Sequence, residues 1–139
     1  MRPARFQQLL LDAAAGLPGV AAKTFTATGH SRHPYGIAVE AGGRTSLWQV
    51  VGLGAPGSRW SEPEPEPILG AKPTALEAPA PTDNLAAVER ALVAALLTTD
   101  PGEISAVELY SDLPRPPAVG HGATVEFHDG SRVFINHVR

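Results

Sequence analysis

Apolar residues recur along this chain with two different periods, and the switches between them lay out the fold. Phe6, Leu9, Leu10, Ala13, Ala14 and Leu17 fall at steps of three and four, the stripe of an amphipathic helix. Pro3 suits the first turn, and Gly16 with Pro18 stops the helix where a terminal glycine and a following proline should. Arg2, Arg5, Gln8 and Asp12 take the wet side.

From residue 20 to 28 the period drops to two, with β-branched and aromatic residues that predict a strand. Residues 35–41 and 44–51 then predict a hairpin around Gly42-Gly43, a pair whose backbone accepts φ > 0. In that register Ala41 faces Arg44, Val39 faces Ser46 and Ile37 faces Trp48, so Ile37, Val39, Trp48 and Val50 share one side.

A second helix is predicted from a cap at Asp83, with Leu85, Val88, Leu92, Ala95 and Leu96 on one stripe. Val93 and Leu97 make that stripe wider than one sheet needs. Asp100-Pro101-Gly102 ends it. Residues 104–111 predict a strand, and a Pro-rich loop leads to the last hairpin.

That hairpin, residues 120–139, carries Asp129-Gly130 between two alternating runs, a strong local turn signal. A two-residue loop at Asp129-Gly130 pairs His128 with Ser131, Glu126 with Val133, and Val125 with Phe134. Side chains alternate along a strand, so Ala123, Val125, Phe127, Phe134 and Val138 are expected in the core. Thr124, Glu126, His128, Val133, Ile135 and His137 are expected on the other face.

The order helix, strand, loop, hairpin therefore occurs twice. The expected fold is α+β: two αβββ halves, residues 1–54 and 83–139, forming an antiparallel sheet of about six strands with two helices on one face. Residues 35–40 lie over 121–126 and Arg44 over Arg132, which suggests an internal duplication. Residues 55–82, with seven of the fourteen prolines, form an extended connecting segment of a single domain. One sheet face is then left bare, and Leu47 and Val51 join it.

Composition narrows the chemistry. At 139 residues, 43% apolar and 18% charged, the chain is long enough for one ordinary core. Its net charge of -3 gives no broad basic footprint. The absence of cysteine excludes disulfides, thiol catalysis and cysteine-based zinc sites. Residues 1–17 are interrupted by Gln7, Gln8 and Asp12, so neither a signal peptide nor a membrane span is expected, and the localisation expected is cytoplasmic. Nine arginines against two lysines, with abundant Ala, Gly and Pro, suggest a GC-rich bacterial genome, such as that of an actinobacterium or one of its phages.

No P-loop, dinucleotide glycine pattern or H-E-x-x-H occurs, and no cofactor is expected. Residues 29–33 lack the fifth-position glycine of a nucleophile elbow. Glu126 and His128 share a strand face at acid/base spacing, without a third member. His30, His33 and His121 are the weak candidates for metal ligation. Arg44 and Arg132 are candidates for nucleic-acid contact, if the two hairpins set both on one rim.

The expected function is a small non-catalytic protein-binding module of chaperone, immunity or inhibitor type. Its partner would be another protein or a second copy of itself, bound through Thr124, Glu126, His128, Val133, Ile135, His137, Leu47 and Val51. A structural or nucleic-acid-associated component of a phage or mobile element is the first alternative, and a histidine-based metal enzyme the second.

Overall fold

A computed structural model describes residues 1–139. The elements run α1 (Pro3–Ala15), β1 (Ala21–Thr24), α2 (Phe25–Thr28), β2 (Gly36–Ala41), β3 (Arg44–Leu53), α3 (Leu85–Thr99), β4 (Ile104–Leu109), a 3-10 turn (Tyr110–Asp112), β5 (Gly122–Phe127) and β6 (Arg132–Val138). Six antiparallel strands form one sheet in the order β1-β2-β3-β6-β5-β4. The α+β expectation, with the two long helices on one face, is met. The halves join through β3 and β6, paired from Leu47↔Val138 to Leu53↔Arg132.

The first hairpin has the expected register, Ala41↔Arg44 through Ile37↔Trp48. Gly42 and Gly43 both take positive φ, 58° and 78°, which a two-residue type I′ turn requires. The last hairpin does not. Its pairs are Val125↔Val133, Thr124↔Phe134 and Ala123↔Ile135, one residue away from the expected register.

The cause lies in the turn. Gly130 N–H donates to the Phe127 carbonyl and Phe127 N–H to the Ser131 carbonyl, both at 3.0 Å, so His128-Asp129-Gly130 is a three-residue loop with Gly130 at φ 87°. The Asp129 carboxylate accepts from Ser131 N at 2.8 Å and Ser131 Oγ at 2.5 Å, and from the Met1 amine at 3.1 Å. A one-residue slip exchanges the faces of a strand. Val133 and Ile135 are therefore core residues, 0% and 2% exposed, while Phe134 and Val138 lie on the outer face.

One continuous core unites α1, α3 and the inner sheet face, from Phe6 and Leu10 through Trp48 and Leu92 to Val125 and Ile135. Val93 and Leu97 are buried, because α3 packs on α1 as well as on the sheet. The α3 cap is Asn84 rather than Asp83: its side chain accepts from Ala87 N at 3.1 Å, and Thr82 Oγ1 accepts from Asn84 N.

Two strands end early. Thr24 stops β1 by capping α2, accepting from Ala27 N at 3.2 Å, and Gly29 closes that turn at φ 77°. In the second half β4 gives way to the 3-10 turn at Tyr110. Phe25 and Tyr110 then occupy matching places: a Cβ on Gly36 would collide with the Phe25 ring, and one on Gly122 with the Tyr110 ring.

Residues 55–82 cross the helical side. Arg2 donates to the carbonyls of Arg59, Trp60 and Glu62. Arg5 bridges Glu64 at 2.5 Å and Glu103 at 2.7 and 2.9 Å. Gly70 N–H bonds the Gly102 carbonyl at 2.9 Å, and Leu76 packs against the core. The segment is an ordered strap, and it leaves the outer sheet face uncovered.

Candidate functional site

Strand register places the outer face in rows. Lys23, Ala38, Leu47 and Val138 form one, and Gly36, Gln49, Asn136 and Gly122 the next. Val51, Phe134, Thr124 and Glu108 form a third, followed by Leu53, Arg132, Glu126 and Ala106. Leu47 and Val138 form one apolar patch on the central strands and Val51, Leu53 and Phe134 a second, with the polar Gln49–Asn136 row between them. Val51 is 37% and Leu53 54% exposed. Glu126 and Arg132 close one end as an exposed ion pair at 3.3 Å, while Lys23 and Glu40 mark the opposite corner.

Two aromatic rings frame this face. Phe25 lies over Gly36, fully buried beneath His30 at a ring separation of 4.3 Å. Tyr110 lies over Gly122 and donates its hydroxyl to Asn136 Oδ1 at 3.1 Å; burial pushes the phenol up from its usual value. Gln49 and Asn136 sit between the rings as the polar centre of an otherwise apolar floor.

Four of the eight residues expected on this face are there: Leu47, Val51, Thr124 and Glu126. Val133 and Ile135 are not, because the last turn holds three residues rather than two. His128 is drawn off by the strap, its ring against Gly70 and its Nε2 bonded to the Ala71 carbonyl at 2.9 Å. His137 points to the inner side at the end of β6, edge-on to Trp48 with ring centroids 5.3 Å apart. Phe134, Val138 and Leu53 are members that the slipped register or a shortened strand concealed.

The histidines fall into two pairs. His30 and His33 stack, with Nε2 of one 2.8 Å from Nδ1 of the other. Burial, then the charges of His30 and Arg32, lowers His33 below its usual value. His121 pairs instead with His137, 6.4 Å between centroids. Gly36 and Gly122, which follow the two loops, are three strands apart, about 14 Å at ordinary strand spacing. No three metal-ligating side chains converge, so His30, His33 and His121 do not form one site.

Arg44 and Arg132 are also separated. Arg44 begins β3, whereas Arg132 pairs with Leu53 at its far end, nine residues or about 30 Å away. They do not share a rim.

Glu89 was hidden by its setting. It is 1% exposed, and its carboxylate accepts from Gly122 N at 2.8 Å, Ser111 N at 3.3 Å and Ser111 Oγ. It lies one residue past Val88 and four before Val93, on the apolar stripe of α3. A charged residue in that place was the available signal for a buried anchor.

No helix is long and apolar enough to cross a membrane. No known protein family, no curated protein and no solved structure matches the chain.

Proposed function

We propose that this protein is a small non-catalytic binding module, of chaperone, immunity or inhibitor type, that docks another protein or a second copy of itself in the cytoplasm. The observation that supports the reading is the bare outer face. Leu47 with Val138, and Val51 with Leu53 and Phe134, form two apolar patches on either side of the Gln49–Asn136 row, while the strap that could have covered them lies over the helices. Soluble monomers seldom leave such a surface unused. Short or irregular edge strands, with four residues in β1 and a bulge between Ile104 and Ala106 in β4, discourage association through the sheet edges and favour docking through the face.

The test pairs Val51→Lys with Phe134→Lys. Both side chains stand on the outer face, so the fold should persist by circular dichroism and thermal melting. The wild type should sediment as a dimer or capture a stoichiometric protein from its host, and the double variant should do neither. A wild type that stays monomeric and captures nothing, or a variant that assembles as well as the wild type, would remove the reading.

A further inference from the structure

We propose that the cleft between the amino end of α3 and the carboxyl end of β6 binds a small organic oxyanion, its head held by Arg44, His121 and His137 and its apolar body by Leu85, Val119 and Val138. The cleft has a volume of about 600 Å³, within the range of small-molecule sites. It exists because the two halves are staggered. β5 begins at Gly122, opposite Asn136, so the end of β6 is paired with β3 on one side and has no strand beside it on the other. A single backbone bond follows, His137 N to the His121 carbonyl at 2.9 Å, and the loop before β5 then stands away as the far wall.

The arginines of this cleft, Arg44 and Arg139, have no carboxylate partner. Arg44 donates to a neutral acceptor, the Asp83 carbonyl, at 3.2 Å. Arg139 also lines the cleft, and Arg32 reaches its carbonyl at 3.3 Å from the loop before β2. The nearest carboxylate to the imidazoles is Glu89, 4.0 Å from His121 Nδ1. Its hydrogen bonds go to Gly122 and Ser111, neutral donors that leave its charge in place, so it offsets the field at His121 but does not pair with either arginine. His121 Nδ1 is buried without a hydrogen-bond partner.

His137 registers this field. Burial first, then the charges of His121, Arg44 and Arg139, hold it below the ordinary histidine value. An oxyanion beside it would offset those charges and favour the imidazolium. By linkage, affinity for the anion should therefore rise as pH falls. The amino end of α3 adds a positive potential of the same sense. Five apolar residues among the twelve that line the cleft leave room for an organic body beyond the head group, so a bare ion would use only part of it.

The test follows the ring resonances of His137 by NMR in the full chain, during titration with phenyl phosphate, benzoate or inorganic phosphate. Saturation by phenyl phosphate or benzoate supports the proposal, and the tighter of the two names the head group. Binding should tighten several-fold between about pH 7.5 and 6, as expected when a group of histidine-like pKa takes up a proton with the ligand. Arg44→Gln should weaken it about tenfold, the loss of one charge-assisted contact. His137→Gln should flatten the pH dependence. No saturable shift at millimolar ligand, equal binding by Arg44→Gln, or equal affinity for inorganic and phenyl phosphate would overturn it.

Discussion

The ring of Tyr110 rests on Gly122, and its hydroxyl reaches across to Asn136 on the neighbouring strand at 3.1 Å. The contact requires glycine. Gly122 has φ 147°, and a Cβ there would strike the Ile135 carbonyl and stand 2.8 Å from the Tyr110 ring. Gly122→Ala should cost about 3 kcal/mol or more, as overpacking against backbone does. Tyr110→Phe should cost only about 1 kcal/mol, the usual net value of one hydrogen bond. Urea unfolding of both variants measures the difference.

Glu89 should behave as a buried anchor. Its two oxygens collect three donors from the segments that frame β5. Glu89→Gln would turn an amide N–H₂ toward at least one of them, and Glu89→Ala would leave all three without this acceptor. Losses of about 2 kcal/mol for Gln and 3–5 kcal/mol for Ala are expected. Chemical denaturation, with hydrogen exchange at the Gly122 amide, reads both.

Adjacent residues of β6 should respond oppositely to the same change. Ile135 is 2% exposed within the core, so Ile135→Lys should unfold the protein, at about 4 kcal/mol or more. Phe134 faces outward, and Phe134→Lys should stay within about 1 kcal/mol of the wild type. Melting curves of the two separate the observed register from the slipped one.

That pair also marks where the sequence stopped being readable. Gly42-Gly43 accepts φ > 0 at both positions, so the first register followed from the turn alone. Asp129-Gly130 accepts either a two-residue turn or a three-residue loop with Gly130 at its end. The choice is made by Asp129, whose carboxylate takes Ser131 N and Oγ and the Met1 amine from the other end of the chain. A distant contact thus decides a local turn. The layers, the two hairpins and the bare face were legible because they depend on periodicity; the pairing of β3 with β6 that joins the halves was not, because no local signal sets it. The members of that face in β6 were not, because one extra loop residue exchanges every side chain. The early ends of β1 and β4 were missed for a related reason: Phe25 and Tyr110 are strand-forming residues that instead close over glycines.

Stability should fall with mild acid. His33 and His137 both titrate below the ordinary value near 6.5 in the folded chain, so the unfolded chain binds protons first. Their contribution is whole above about pH 6.5 and is lost as pH falls toward their folded values. Asp129 acts at lower pH. Burial alone would raise it, but hydrogen bonds from Ser131 and the Met1 amine bring it below its usual value, so its contribution is lost as pH falls through that lowered value. Melting temperature should therefore decline in two stages between about pH 7 and 2, and His137→Gln should shrink the first.

The seven-residue ladder between β3 and β6 means that covalent continuity is not what holds the two halves together. Each half supplies one central strand, and the core runs across the seam between them without a gap. The strap is the only covalent link from one half to the other, held by Arg2 and Arg5 at residues 59–64, by Gly102 and His128 at Gly70 and Ala71, and by Leu76 against the core. A peptide bond broken in its exposed stretch at residues 65–69 would remove no strand pair and open no part of the core. The molecule is in effect two complementary fragments that share a leash.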